Sequence, residues 1–103
     1  MIGFRIVPGA RQDLRESVVW YKQYSGMTSQ FLNAVAMAFQ RVETDPHSLP
    51  LTESPWPSRG RRTRRCPVEG FPFQVIFEIQ PTEIVVLAVA HGSRKPGYWK
   101  RRK

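Results

Sequence analysis

Residues 84–90, Ile-Val-Val-Leu-Ala-Val-Ala, form an unbroken apolar run of mostly β-branched residues. Seven residues is far short of the ~20 that a membrane-spanning helix needs. The composition favours a strand. Because side chains alternate between the two faces of a strand, an all-apolar run needs cover on both faces. The segment therefore predicts a central strand, with the rest of the chain arranged in layers around it. A chain of 103 residues has room for one such core, so residues 1–103 are read as a single domain with a basic tail over 94–103.

The flanking patterns complete the sheet. Phe73, Val75, Phe77 and Ile79 alternate with Gln74, Ile76 and Glu78 and predict a strand over 73–79. Turn residues at Glu69-Gly70 and Pro81-Thr82 bracket it and favour an antiparallel meander. A further strand is expected over 61–68 and a short first one over 3–7, broken by Pro8-Gly9.

Between them, Ala10, Leu14, Val18 and Tyr21 recur at helical spacing, as do Phe31, Val35, Ala38 and Val42. They predict helices over 10–25 and 28–45. Asp13 is read as a first-turn acid favoured by the helix dipole, Ser25-Gly26 as a stop and Thr28 as an N-cap. The order is β-α-α-β-β-β, an α+β fold in which a helical hairpin packs on one face of a small, mostly antiparallel sheet. The expected core includes Leu14, Val18, Phe31, Val35, Val42, Val75, Phe77, Val86 and Ala88. The opposite sheet face and the sheet ends are left for binding.

Charge separates the chain into two halves. Residues 1–50 carry five basic groups against four acidic, and residues 51–103 carry eleven against four. Most of the +8 net charge therefore lies beside the later strands and the tail. Twelve of the sixteen basic residues are arginine, whose planar fork suits phosphate and carboxylate. Arg61, Arg62, Arg64 and Arg65 crowd one strand, and Arg94, Lys95, Lys100 and Arg101 open the tail. Like charges so close repel, which points to an acidic macromolecule as their counterpart.

Several chemistries lack any signal. The lone Cys66 excludes an internal disulfide, no Cys/His cluster has metal-binding spacing, and no cofactor loop is present. No membrane segment or signal peptide is read, so a cytoplasmic location is expected. One catalytic constellation is open: His91 as acid or base, Tyr98 as proton donor, and Arg94 with Arg62 or Arg64 as the cation, which together suit metal-independent RNA cleavage. The alternative is that His91 ends a strand by hydrogen bonding while Tyr98 and Trp99 pin the tail to the core.

The chain resembles the RelE/ParE superfamily of type II toxins over nearly its whole length. The resemblance rests on Ala10-x-x-Asp13-Leu14, Trp20-Tyr21, Phe31-Leu32, Pro46, the Arg-rich strand, Phe71-Pro72-Phe73, Leu87-Ala88-Val89-Ala90-His91, and Arg94-x-Pro96-x-Tyr98-Trp99. It implies a cognate antitoxin, a toxin–antitoxin hetero-oligomer and a role in plasmid stabilization and growth inhibition. Arg94 resembles the arginine that ends the last strand of RelE-like nucleases, and Tyr98 their C-terminal tyrosine. The arginines of the basic strand stand where those nucleases carry lysines, and the His-x-x-Arg-x-Pro stretch is closer to the ParE-type and unassigned branches. The leading expectation is a ParE-like toxin that binds DNA gyrase. The alternatives are a RelE-like endoribonuclease acting on ribosome-bound mRNA, and a non-toxic antitoxin- or nucleic-acid-binding module.

Overall fold

The apolar run becomes the longest strand of the sheet. In the computed structural model, which describes residues 2–52, 62–93 and 97–103, the chain forms β1 (Gly3–Ile6), α1 (Pro8–Tyr24), α2 (Thr28–Thr44), a 3-10 turn (Pro46–Ser48), β2 (Thr63–Pro67), β3 (Phe73–Ile79) and β4 (Glu83–His91). The sheet order is β1-β4-β3-β2. β4 lies between β1, its parallel partner, and β3, its antiparallel partner. Every residue from Ile84 to Ala90 is buried. The expected α+β architecture and the central place of this strand are both observed.

The helical hairpin covers one face of the sheet. Phe31, Val35 and Val42 of α2 pack there with Val75, Phe77 and Val86, and Leu14 and Val18 of α1 lie half-buried at the margin. The hairpin turns where expected: the Ser25 and Gly26 amides both donate to the Tyr21 carbonyl, and Gly26 takes a φ of 68°, which favours glycine.

Four details depart from the sequence expectation. α1 begins at Pro8, because proline fits the first turn of a helix, where its missing N–H has no partner to lose. Asp13 consequently sits beyond the first turn and is buried, so it does not serve the helix dipole. Thr28 is already helical, and Met27 occupies the cap position without a side-chain hydrogen bond. β2 starts at Thr63, with Arg62 outside it; Arg61 lies outside the described residues.

A β-bulge matters more. The β3–β4 register steps from Ile76↔Ala88 to Phe77↔Val86, so Val86 and Leu87 together face one residue of β3. The extra residue reverses the alternation of β4. Val86 stays on the helix face, while Ala88 moves to the opposite face with Ile76 and Ala90. The core thus includes Ala88 on its second side. The Tyr98 and Trp99 side chains pack on that patch, so the face expected to be open is partly covered by the chain's own tail.

Arg5 and Glu83 tie β1 to β4 through two hydrogen bonds of 3.1 Å. The hydrogen bond from Arg5 holds the Glu83 carboxyl below the usual glutamate range. A lowered folded pKa gives stability that is present above the unfolded pKa and lost as pH falls through the folded one. Glu83→Gln should therefore lower stability near neutrality and flatten the acid limb below about pH 4.5, where parent and variant converge. Thermal melts across that range check this.

Candidate functional site

β1 is four residues long and β4 is nine, so β1 pairs only with the first part of β4, through Val86. Beyond that point, among the described residues, the backbone edge of β4 has no strand beside it. Because buried backbone groups need partners, side chains must substitute. Asp13, carried across this edge by α1, accepts a hydrogen bond from the Val89 amide at 3.1 Å. The Arg102 Nη1 donates to the Leu87 carbonyl at 3.0 Å.

These two side chains also bind each other. Arg102 donates to Asp13 from Nη1 to Oδ2 at 2.7 Å and from Nη2 to Oδ1 at 3.2 Å, a two-pronged pairing. The Tyr98 hydroxyl donates to the same Oδ2 at 3.0 Å. The Arg102 guanidinium carbon lies 4.8 Å from the centre of the Tyr98 ring. The hydrogen bond to Asp13 pushes the Arg102 guanidinium above its ordinary pKa. Gly9 leaves room for the arrangement, since a β-carbon there would come within 2.5 Å of Arg102 Nε.

Two grooves flank this network. One, of about 540 Å³, lies on the sheet face opposite the helices, with Arg65, Gln74, Ile76, Ala90 and Trp99 among its walls. The other, of about 480 Å³, runs between α1 and β4 past Glu16, Trp20 and Val89. Pro72, Phe73, His91 and Tyr98 line both and so form the wall between them. Trp20 is half exposed and stacks at a tilt on Tyr24 at the lip of the second groove.

The residues singled out by sequence scatter over this surface. His91 ends β4 between the grooves, and its Nδ1 accepts from the Ser93 amide at 2.9 Å. A backbone N–H can only donate, so the ring proton is placed on Nε2. Tyr98 is spent on Asp13. Arg64 does not face outward to a ligand: its Nη1 donates to the Leu49 carbonyl at 2.6 Å and the His47 carbonyl at 3.2 Å, fastening the segment that follows α2. Among the described residues, the Arg65 and Arg62 guanidinium groups make no hydrogen bond or ion pair, and only Arg65 lines a groove. Arg101 is exposed and Lys100 half-buried, while Arg61, Arg94 and Lys95 lie outside the described residues. Cys66 is buried under α2, and that burial pushes its thiol pKa up, which makes it a core residue.

The Asp13–Arg102 pair was missed from sequence. Its signal was present in principle, since Asp13 falls three residues after Ala10 and eight before Tyr21, on the stripe of α1 that is buried. A carboxylate on such a stripe needs a cation, and nothing in the sequence says which of sixteen basic residues supplies it.

With this geometry in place, comparison with known proteins identifies the class. The profile of the ParE toxin of the type II toxin-antitoxin system parDE matches residues 4–96, so the chain belongs to that toxin family. Among solved structures, the chain is similar to one described as the chromosomal ParDE TA system from P. aeruginosa. The TM-score is 0.72 at 17% identity, covering 88% of this chain and 96% of the other. No curated protein matches the chain. The matched range stops before Tyr98 and Arg102, so the two tail residues that complete the network lie beyond it.

Because Tyr98 donates to a buried carboxylate, Tyr98→Phe should destabilise the domain by about 1.5 kcal/mol, the range for hydrogen bonds to charged groups. Urea titration reads this directly. In the Asp13→Asn background the same change should cost appreciably less, since the two side chains act as one unit.

Proposed function

We propose that this chain is the toxin of a two-component pair and that it arrests growth by binding DNA gyrase, without catalysis of its own. The family match supports the toxin role. The observation that carries the non-catalytic reading is the commitment of the Tyr98 hydroxyl to Asp13. A general acid must reach the reacting oxygen, and this phenol is instead part of the fold. His91, with Nδ1 already accepting from Ser93, is held as an Nε2–H donor and not as a base. Arg64, proposed from sequence as a cation for a phosphorane, is engaged by two carbonyls.

The deciding experiment measures gyrase supercoiling of relaxed plasmid and cleavage of ribosome-bound mRNA side by side. The expected outcome is inhibition of supercoiling and intact message, with His91→Gln as active as the parent. Proton transfer contributes roughly 10²–10⁴-fold to cleavage where it operates. Message cleavage that falls by that factor in His91→Gln, with supercoiling untouched, would replace this reading with the nuclease one. Truncation after Trp99 is unsuitable for the purpose, because it removes Arg102 together with the tail charges.

The cognate antitoxin is proposed to present acidic residues to the basic half of the chain. Arg62 and Arg65, without described partners, are the residues on or beside β2 available to meet them. Replacing both with Ala should slow association and flatten its dependence on salt, because electrostatic steering is screened over ~10 Å at 0.1 M. Stopped-flow measurements at several salt concentrations read this, and an unchanged salt slope would count against it.

A further inference from the structure

The two outer sides of the sheet are finished differently. Beside β2 the chain supplies its own partner: the Arg65 amide donates to the Pro50 carbonyl, the Thr52 amide donates to the Thr63 carbonyl, and Leu51 bridges to Arg64. Beside the second half of β4 no strand pairs among the described residues. The bulge at Val86 and Leu87 turns the Leu87 carbonyl and the Val89 amide toward α1, where Arg102 and Asp13 receive them.

We infer that Asp13, the Leu87 carbonyl and the Tyr98 ring form a guanidinium-binding site, filled in cis by Arg102, which latches residues 97–103 across the open edge of β4. The site's features match that ligand class and not a cation in general. Two carboxylate oxygens face two nitrogens of one planar fork, at 2.7 and 3.2 Å. The carbonyl takes a further hydrogen of the same nitrogen at 3.0 Å, and the ring lies under the delocalised charge. An ammonium is a point charge with tetrahedrally arranged donors and does not satisfy this set together. The Asp13 side chain is 5% exposed and is held independently by the Val89 amide, so the carboxylate and the Leu87 carbonyl, neither of them on the strap, keep their places without Arg102. The Arg102 side chain is 22% exposed, so the site opens to solvent on the ligand's side and admits a guanidinium from outside.

The consequence concerns what the latch covers. Residues 97–103 carry Tyr98 and Trp99, which pack on Ile76, Ala88 and Ala90. Tyr98 is also part of the wall between the two grooves. Lifting the tail would join the grooves into one channel past His91. The basic tail is thus a strap fixed at Arg102, which serves as the ligand.

The test is chemical rescue, and it reads no toxicity, so its outcome is independent of the gyrase proposal. The full-length Arg102→Ala variant is expected to melt roughly 10 °C below the parent. Methylguanidinium at about 50 mM should raise its midpoint by a few degrees through mass action. The same compound should not raise the midpoint of the parent or of the Asp13→Asn/Arg102→Ala double variant, and methylammonium should rescue none of them. No rescue, equal rescue by methylammonium, or equal rescue in the double variant would overturn the inference. Should Arg102→Ala fail to fold, Arg102→Lys keeps the charge and loses the fork. Its Val89 amide should exchange roughly tenfold faster than the parent's, and unchanged exchange would overturn the inference equally.

Discussion

A four-residue strand beside a nine-residue one leaves a backbone edge that a small domain cannot abandon to chance. Among the described residues no fifth strand pairs with it. The solution is a carboxylate from α1 and a guanidinium from the C-terminal segment, each bonded to β4 and to one another. Removing one member strands a buried charge, which is far costlier than never having built the pair. The first helix, the central strand and the last residues are therefore bound into one cooperative unit, although 89 positions separate Asp13 from Arg102.

This changes the meaning of the arginine excess. Counted in sequence, the arginines look like one basic surface. In space they divide by task. Arg5 joins two strands, Arg64 fastens the segment after α2, and Arg102 closes the edge of β4. Arg62 and Arg65 are left with no described partner. The self-repulsion of a +8 chain is offset locally where arginines meet carbonyls and carboxylates. A binding partner needs to meet only the remainder.

The large features of the fold were legible because burial writes them into periodicity. The run at 84–90 announced a central strand, and the stripes through Phe31, Val35 and Val42 announced a covered helix face. The bulge was not legible, since an all-apolar strand carries no alternation to show where its phase slips; Val86 and Ala88 look equivalent and lie on opposite faces. The site was harder still. Arg64 and Arg65 are identical neighbours in sequence, yet only the carbonyls of His47 and Leu49, placed by the chain after α2, decide that one is structural. Tyr98 was read as a proton donor. In the structure its hydroxyl donates to Asp13, whose place on the buried stripe of α1 the spacing allowed but which the reading as a first-turn acid passed over.

The same geometry explains how the two grooves and this chain's stability come to share residues. His91 and Tyr98 line both grooves, and Tyr98 belongs to the segment latched by Arg102. A partner that presses on either groove therefore also presses on the strap, and what it gains depends on whether the strap is closed. Because only binding that differs between two states can shift them, a partner contacting Trp99 in place would hold the tail down. One that needs Ile76, Ala88 and Ala90 would have to pull it away against the Asp13 contacts. The tail thus links the outer face of the sheet to the buried carboxylate, through the Arg102 guanidinium and the Tyr98 hydroxyl together.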